Sequence, residues 1–232
     1  MQINMRYRVI ILTFIFSLVL ITAWTQRKIL GISDFQDPIG AWIEVESAAL
    51  NPDDEKKLKG MHGTGIIISE NGKTANLLTK QTHGDLLLDL DFMISKGSNS
   101  GVYLQGRYEI QILDSWGKQK PGSGDCGGVY ARYDGKKTYE GVPPLVNAAN
   151  KPGEWQHLTI DFKAPRFNAK GEKIRNAVFR KVKLNGMIVQ KNTEVTGPTA
   201  SSYDNAEALQ GSLMLQGDHG PVAYRSIKLK HR

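Results

Sequence analysis

The chain has a single cysteine and almost no stretch with helical periodicity. Cys126, in Gly-Asp-Cys-Gly-Gly, has no second cysteine to pair with, which excludes an internal disulfide framework. No histidine lies beside it to activate the thiol as a nucleophile. We therefore predict a small side chain buried in a glycine-rich passage. Stability must come from a packed core, for which an apolar content of 40% is ample.

Concentrated positive charge is also missing. The formal net charge is +7, but lysine and arginine are spread along the chain, with no basic block and no basic helix interleaved with aromatic residues. This distribution argues against nucleic acid as a partner. The histidines form neither a His-x-His nor a His-x-x-x-His pattern, so no tight ligand motif identifies a cofactor. A divalent metal ion held by residues from separate strands is left open.

The N-terminal segment has the composition of a targeting sequence. Arg6 and Arg8 precede an almost unbroken apolar run over residues 9–23, which is the pattern of a signal peptide. The run is shorter than the ~20 residues of a typical membrane-spanning helix. We predict a signal peptide over residues 1–25, export to the periplasm, cell surface or medium, and no stable membrane insertion after cleavage. An uncleaved anchor is the alternative, since neither Ala23 nor Thr25 completes a clean Ala-x-Ala site.

The rest of the chain has the short alternating segments and frequent turn residues of an all-β protein. Apolar and polar side chains alternate in several stretches, as in strands with one buried face, and Asn185-Gly186 is typical of a two-residue hairpin turn. The predicted strands are 65–69, 85–95, 101–113, 128–132, 154–162, 177–190 (with that hairpin), 211–216 and 221–230, with short turns of helix over 51–59 and 203–209. Many short strands predict a jelly-roll or sandwich of antiparallel sheets, in one domain over residues 34–232.

The stretch 98–116 says most about function. With a period of two, an apolar set shares one face of a strand: Val102, Leu104, Tyr108, Ile110 and Ile112. The opposite face carries a phenol, two amides, a guanidinium and a carboxylate, from Tyr103, Gln105, Arg107, Glu109 and Gln111. These groups suit a hydroxyl-rich ligand, so we interpret this face as the floor of a carbohydrate cleft. A solvated face of chance composition is the alternative.

Several motifs follow one another in a specific order. They are Asn-Ser-Gly-Val-Tyr-Leu-Gln-Gly-Arg-Tyr-Glu-Ile-Gln-Ile-Leu-Asp-Ser at 99–115, Pro-Gly-Glu-Trp-Gln at 152–156, Ala-Pro-Arg-Phe at 164–167, Thr-Gly-Pro-Thr at 196–199 and Leu-Gln-Gly-Asp-His-Gly-Pro-Val at 215–222. From about residue 77 to the C-terminus, the chain resembles the 3-keto-disaccharide hydrolase domain family, also described as 3-keto-glucoside lyase/hydratase. The resemblance implies a concanavalin-like β-sandwich whose concave sheet carries the ligand.

The resemblance also implies a reaction. A ketone at C3 of a sugar acidifies the hydrogen on C2. A base can then remove that hydrogen and expel the C1 substituent by β-elimination, which gives a 2-hydroxyglucal to which water can add. Such a site needs a base of near-neutral pKa, a group that stabilises the enolate oxygen, and an acid for the leaving group. No hydride is transferred, and the sequence has no nicotinamide-binding motif.

Two residues are candidates for catalysis. His219 comes first, because Gly-Asp-His-Gly forms a turn after a predicted strand and presents the imidazole at the rim of a sheet. Asp218 beside it could set its tautomer. Glu109 comes second, as a base or a metal ligand on the polar face. The alternatives are a histidine that merely closes the turn, and a salt bridge from Glu109 to Arg107 or Arg132.

The remaining candidates bind substrate. Asp114 could hold a hydroxyl or a metal, and the Trp116 indole could stack on a sugar ring. The full set is Tyr103, Gln105, Arg107, Gln111, Asp114, Trp116, Arg132 and Asp218. Two other functions would use the same polar face: a non-catalytic carbohydrate-binding module, and a glycosidase that acts on unoxidised sugars through paired carboxylates. The sugar, its anomer, the leaving group and the oligomeric state are left open.

Overall fold

A computed structural model of the chain describes residues 28–232. Almost all regular structure in this part is β. The strands are β1 (Lys28–Ile29), β2 (Ile43–Asn51), β3 (Asp54–Ser69), β4 (Leu77–His83), β5 (Leu86–Ile94), β6 (Asn99–Leu104), β7 (Tyr108–Leu113), β8 (Arg132–Tyr133), β9 (Thr138–Tyr139), β10 (Gln156–Lys163), β11 (Arg166–Phe167), β12 (Lys173–Arg175), β13 (Ala177–Leu184), β14 (Met187–Val195), β15 (Gly211–Leu215) and β16 (Val222–His231). The described helical structure is one 3-10 turn, Ile32–Asp34.

Two antiparallel sheets face each other across one core. The large sheet has the order β14-β13-β10-β5-β16-β3-β2, with β1 beside β16, and the small sheet has the order β4-β15-β6-β7. Inward side chains of the large sheet, such as Leu88, Ile160 and Tyr224, belong to the same buried cluster as Ile110 and Leu215 of the small sheet. Burial of these apolar faces drives the two sheets together. The predicted all-β sandwich of antiparallel sheets is confirmed.

Two buried hydroxyl groups, one from each sheet, form a hydrogen bond within this apolar core. Ser100 on β6 donates to the Gln216 carbonyl at 2.7 Å, and its Oγ lies 2.9 Å from the hydroxyl of Tyr224 on β16. Both side chains are completely buried. Because Ser100 has used its own proton, the Tyr224 hydroxyl donates to it. The contact satisfies two polar groups whose burial would otherwise cost free energy.

A long hairpin covers part of the outward face of the large sheet. The register of its strands, β2 and β3, shifts near the turn, between Leu50 and Asn51, and again around Val45. Val45 is opposite both His62 and Ile66, so that β3 bulges between these two positions. After the bulge, β3 continues into the large sheet beside β16. Val45 and Leu58 pack against Met93 of β5 in a second apolar cluster. The hairpin therefore contributes a small core of its own.

Most predicted strands are observed with shifted ends. The segments at 85–95, 154–162, 211–216 and 221–230 correspond to β5, β10, β15 and β16, and 65–69 is the end of β3. The predicted hairpin is confirmed, because β13 and β14 meet at Asn185-Gly186. Both turn residues have positive φ, 50° and 84°, as a type I′ turn requires.

Other local predictions are wrong. Residues 51–59 hold the turn of the β2–β3 hairpin and the start of β3 instead of a helical turn, because cross-strand pairing overrides their charged composition. Residues 203–209 form bends without helical hydrogen bonding. In place of the strand at 128–132, Val129 forms isolated bridges to Ile110 and Val142. β2 and β4 are not among the predicted strands, since the alternation of apolar and polar residues in β2 ends at Glu46 and β4 has none.

Cys126 occupies the buried position that its glycine-rich surroundings predicted. It is 1% exposed, and its amide donates to Ser115 Oγ at 3.3 Å. Burial raises the pKa of the thiol to about 12, so the reactive thiolate does not form near neutral pH.

The predicted signal peptide, residues 1–25, lies outside the described residues. Across residues 28–232, no helix combines the length and apolar character needed to cross a membrane.

Candidate functional site

The predicted strand over 101–113 is wrong: β6 and β7 are two strands joined by a tight turn. Gln105 and Gly106 have φ angles of 56° and 66°. The Arg107 amide donates to the Leu104 carbonyl at 3.1 Å. Two consecutive positive φ angles closed by this hydrogen bond are the features of a type I′ turn. The hairpin therefore brings the two halves of the predicted polar face side by side.

A row of side chains crosses the outward face of the small sheet. Leu78 on β4 is paired in register with Met214 on β15, and Met214 is paired with Tyr103 on β6. Tyr103 is in turn paired with Glu109 on β7. In the next row, Gly101 is opposite Gln111. The prediction that Tyr103, Glu109 and Gln111 share one face is confirmed by this register. We refer to the first of these rows as the Glu109 row.

The Glu109 carboxyl is buried even though it lies on the outward face. The residue is 2% exposed, and its Oε2 has no hydrogen-bond partner among the described residues. With the side-chain amide of Gln111 oriented so that its nitrogen faces the two acceptors, Nε2 donates to Oε1 at 2.7 Å and to the Ser100 carbonyl at 2.9 Å. Gly101 leaves the space that the carboxyl occupies, because a Cβ at that position would lie 2.2 Å from Oε1. One oxygen is thus held, and the other is buried without a partner among the described residues.

Burial raises the pKa of Glu109 from its ordinary value of 4.5 to about 8. A hydrogen bond from Tyr103 offsets part of this rise, and the neighbouring Asp218 charge adds to it. Burial and the Glu109 charge in turn hold the pKa of Tyr103 far above its usual range, so the phenol keeps its proton. At neutral pH, Glu109 is mostly a carboxylic acid that can donate a proton.

The loop after β15 brings an imidazole–carboxylate pair to the same region. The loop is tied to β6, because the Gln216 amide donates to the Gly101 carbonyl at 3.0 Å. His219 Nδ1 lies 2.6 Å from Asp218 Oδ1, and both side chains are about half exposed. Nδ1 also lies 3.2 Å from Gln216 Nε2. The shorter contact is with a carboxylate, which can only accept, so we assign the Nδ1 proton to Asp218, and Nε2 is the free basic nitrogen. The Asp218 charge also raises the pKa of Glu109.

Gln105 lies in the turn and is anchored there. Its Nε2 donates to the carbonyls of His83 and Leu209 at 3.2 and 2.9 Å, and its backbone amide donates to His83 Nε2 at 3.0 Å. Its Oε1 is buried without a partner among the described residues. His83 is a structural histidine, since burial lowers its pKa to about 4 and keeps it neutral.

Arg107 also lies at the turn instead of beside Glu109. Its Nε, Nη1 and Nη2 donate to the Ala206 carbonyl, the Gln105 carbonyl and the Asp204 carboxylate at 2.6, 2.9 and 2.6 Å. The guanidinium is 7% exposed. Among the described residues, Arg107 forms its ion pair with Asp204. This pair holds the segment that follows β14 against the β6–β7 hairpin.

Arg132 does not pair with Glu109 either. Its Nη1 donates to Thr196 Oγ1 at 2.7 Å and to Glu140 Oε2 at 3.2 Å, and the guanidinium carbon lies 5.1 Å from the centre of the Tyr139 ring. Its buried Nε has no partner in the part of the chain that the structure describes.

The structure places Asp114 and Trp116 at one end of the sandwich. Asp114 accepts from the Gly97 amide at 2.9 Å. Trp116 is 53% exposed, and the Lys151 ammonium lies 5.1 Å from the centre of its indole ring. The strand rise of β7 puts Asp114 roughly 16 Å from Glu109 along the chain direction. These two residues therefore line a separate pocket of about 340 Å³.

Sequence reasoning missed the role of Gly101 and the tie through Gln216. A glycine within a strand weakens it, and often marks a close approach of another group, so Gly101 could have been recognised. The contact of Gln216 with β6 had no sequence signature, because it joins residues far apart in the chain. Within residues 28–232, no group of three or more His, Cys, Asp or Glu side chains converges as metal ligands would.

Comparison with known proteins adds to this geometry. Residues 39–230 match the family model of the 3-keto-alpha-glucoside-1,2-lyase-like domain. A search of curated proteins gives no match. A solved structure of a proposed glycosyl hydrolase from Parabacteroides distasonis is 25% identical, with a TM-score of 0.57, over 86% of this chain and 84% of that one.

A second proposed glycosyl hydrolase from the same organism is 22% identical, with a TM-score of 0.51, over 82% of this chain and 99% of its own. At this identity, the likeness shows a shared fold. The family match takes in most of the chain, including both strands of the Glu109 hairpin and the His219 loop. The protein belongs to the 3-keto-alpha-glucoside-1,2-lyase-like domain family.

Proposed function

We propose that the protein is a carbohydrate-active enzyme that cleaves 3-keto-glycosides by β-elimination and hydrates the product. The observation that carries the proposal is the Glu109 carboxyl, a buried acid of raised pKa with one unpartnered oxygen. A face that merely binds sugars does not need an acid kept neutral by burial, whereas general acid catalysis near neutral pH does. Family membership and the relatives described as glycosyl hydrolases support a carbohydrate substrate.

In the first step, Nε2 of His219 accepts the proton on C2 of the 3-keto sugar. The electron pair moves into the C3 carbonyl and forms an enolate. The Tyr103 hydroxyl, which burial keeps protonated, turns its one proton from Glu109 to the enolate oxygen as the negative charge forms there. Asp218 stabilises the imidazolium that forms, through the contact at Nδ1.

In the second step, the C3 carbonyl forms again, a double bond forms between C1 and C2, and the bond from C1 to the leaving oxygen breaks. Glu109 Oε2 gives its proton to that oxygen. The products are a 3-keto-2-hydroxyglucal and the free alcohol. For hydration, the Glu109 carboxylate takes a proton from a water molecule while the oxygen of that water bonds to C1. The proton held by His219 then returns to C2. Both residues end in their starting forms, and the net reaction is hydrolysis.

The test is incubation of the purified protein with a 3-keto-glucoside, with and without chelator treatment, following enone absorbance and released aglycone. We expect release by the wild-type protein and its loss in His219→Ala. His62→Ala is the matched control, because His62 is an exposed histidine on β3 and should leave release unchanged. Sensitivity to the chelator would add a divalent ion to the site.

The contrary outcome is equally specific. Absence of release, together with tight binding of unoxidised glycans that His219→Ala leaves intact, would identify a carbohydrate-binding module instead.

We further propose that the enzyme acts outside the cytoplasm. The proposal is supported by the sequence of residues 1–25, in which Arg6 and Arg8 precede the apolar run. N-terminal sequencing of the protein recovered from cell fractions would test it. A mature chain beginning shortly after residue 25 is expected, and an intact N-terminus on cytoplasmic protein would contradict the proposal.

A further inference from the structure

The excess of positive charge in this chain comes from one stretch of the fold. Residues 163–194 contain nine lysines and arginines against two acidic residues, a formal charge of +7 that equals the net charge of the whole chain. Outside this stretch, acidic residues balance the basic ones in sum. The stretch runs from the last residue of β10 to the end of β14, the edge strand of the large sheet. Apolar residues interspersed along these strands keep the charge from forming a basic block in the sequence.

A pocket of about 550 Å³ lies among these strands. It is lined by the end of β10, by the β11–β12 hairpin and by neighbouring residues of β13 and β14. The pocket shares no lining residue with the Glu109 row. The lining residues that matter here are four cations, one apolar residue and one acid: Lys163, Arg166, Lys173, Arg175, Ile174 and Glu194.

Two arginines are opposite each other in this lining. Arg166 on β11 and Arg175 on β12 are register partners, and like charges directly opposite on paired strands are destabilising. Arg166 is balanced by Asp85, whose carboxylate lies 2.6 Å from its Nη2. The side chain of Arg175 makes no hydrogen bond, ion pair or ring contact within residues 28–232. The other six arginines of this part of the chain each make a side-chain hydrogen bond.

The remaining charges of the lining do not neutralise Arg175. Lys173 forms an ion pair with Glu207 at 2.5 Å, and Glu194 accepts a hydrogen bond from Asn176 at 2.6 Å. Lys163 is exposed and forms no ion pair among the described residues. The pocket therefore offers a ligand two cations without ion-pair partners, Lys163 and Arg175, against the one carboxylate of Glu194.

The chemistry and size of the pocket define the class of ligand. A guanidinium presents a planar fork of N–H donors that matches the oxygens of a carboxylate or sulfate. Ile174, 60% exposed, adds an apolar surface for a carbon framework. The volume lies within the roughly 300–1,000 Å³ of pockets that hold organic ligands, and it is larger than a bare inorganic ion requires. Family membership and the relatives described as glycosyl hydrolases favour a carbohydrate as that framework.

We propose that this pocket binds an acidic glycan, with a uronate or sulfate group held by Arg175 and Lys163. The bound oxyanion would supply the counter-charge that the opposed arginines lack. A concave pocket fits a glycan better than a membrane, because a flat bilayer surface would reach only its rim. The inference goes beyond the proposed function and does not depend on it, since none of these residues takes part in the chemistry at Glu109.

The test is calorimetric titration of the protein with tetragalacturonate, with a sulfated carrageenan tetrasaccharide and with neutral cellotetraose. We expect at least one acidic ligand to bind the wild-type protein, with Kd weakened at least about tenfold in Arg175→Gln. Lys170→Gln is the matched control. It removes the same charge from the turn of the same hairpin, outside the pocket lining, and should change Kd less than about twofold. The small change that Arg175→Gln makes to any cellotetraose binding should be the same in Lys170→Gln.

The outcomes separate this site from the alternatives. Absence of binding by both acidic tetrasaccharides, or equal weakening in Arg175→Gln and Lys170→Gln, would overturn the proposal. Binding to phosphatidylglycerol vesicles that Arg175→Gln weakens, without binding of either tetrasaccharide, would identify an anionic membrane surface instead. Arg175→Gln should cleave methyl 3-keto-glucoside like the wild-type protein. If the wild-type protein binds an acidic tetrasaccharide through Arg175 but cleaves no keto substrate, the proposed function fails and this inference stands.

Discussion

The two sheets carry acidic side chains on their outward faces in opposite environments. On the large sheet, Asp161 accepts two hydrogen bonds from Arg180 Nη2, at 2.7 and 2.8 Å. Asp91 lies between the His157 ring at 2.8 Å and Arg225 at 3.1 Å. These carboxylates are partly exposed, and each has an arginine beside it.

On the small sheet, Glu109 is buried with neutral partners. Gln111 and Tyr103 donate to its carboxyl, and the charged neighbour, Asp218, is of the same sign. The comparison shows that the neighbours decide what a carboxyl does. The carboxyls beside arginine form ion pairs on the outward face of the large sheet. Glu109, which has an amide and a phenol beside it, retains a proton that it can deliver.

Glu109→Gln should cause the largest effect. The amide fills the same space but cannot deliver a proton, so kcat on a 3-keto-glucoside should fall about 10²–10⁴-fold. Thermal unfolding should show no loss of stability, because no buried charge is created. Nearly wild-type turnover in Glu109→Gln would show that Glu109 is not the proton donor, and that it does not differ in function from the carboxyls of the large sheet.

Gly101→Ala should come next. The added Cβ would lie 2.2 Å from Glu109 Oε1, and a displacement of about 1 Å at a catalytic group can cost roughly 100-fold in rate. We also expect a free energy of unfolding lower by about 1–3 kcal/mol in urea titrations. Gly122→Ala is the control, since its Cβ would make an ordinary contact at 3.7 Å with Asp125. Equal turnover in both variants would contradict the tight fit.

The pH dependence sharpens the comparison. The proposed active form of Glu109 is protonated, so kcat/KM should fall as pH rises through about 8, the raised pKa of this group. Tyr103→Phe removes a hydrogen bond that lowers this pKa, and the fall should therefore move to higher pH. Rate profiles of the two proteins measure the shift. A fall that moves to lower pH would contradict the arrangement, and a fall that persists in Glu109→Gln would assign it to another group.

Asp161→Asn should have the smallest effect. It weakens an ion pair whose side chains are 20% and 32% exposed, and exposed pairs contribute about 0.2–1 kcal/mol to stability. We expect a loss within that range in urea titration and unchanged turnover. A large loss of activity would show that the charged face of the large sheet also takes part in catalysis.

The division of the hairpin into two faces could be predicted from sequence, but the hairpin itself could not. Leu104 and Tyr108 are register partners with three residues between them. An odd number of loop residues leaves the alternation in phase, so a period of two continues through the turn as if the strand were unbroken. Periodicity alone therefore cannot distinguish one long strand from two paired ones in this case.

Turn chemistry explains why one hairpin was recognised and the other was missed. Asn185-Gly186 has residue types that favour positive φ, whereas Gln105 adopts a φ of 56° without that preference. The anchoring of Gln105 to His83 and Leu209 holds it there. Such contacts join segments far apart in sequence, and they likewise determine how deeply Glu109 is buried. They depend on the assembled sandwich and have no local pattern.

The hydroxyl pair between Ser100 and Tyr224 limits how far one sheet can slide over the other. Apolar packing is non-directional, whereas a hydrogen bond between buried hydroxyls weakens steeply when its geometry is disturbed. Ser100 precedes Gly101, where the Glu109 carboxyl fits, and its carbonyl accepts from Gln111. The hydrogen bond from Tyr224 to Ser100 thus helps to fix the position of the Glu109 carboxyl relative to the opposite sheet. The packing of both sheets therefore determines where the Glu109 carboxyl lies. A substitution that repacks the distant strand β16 would displace this carboxyl and the proton it donates.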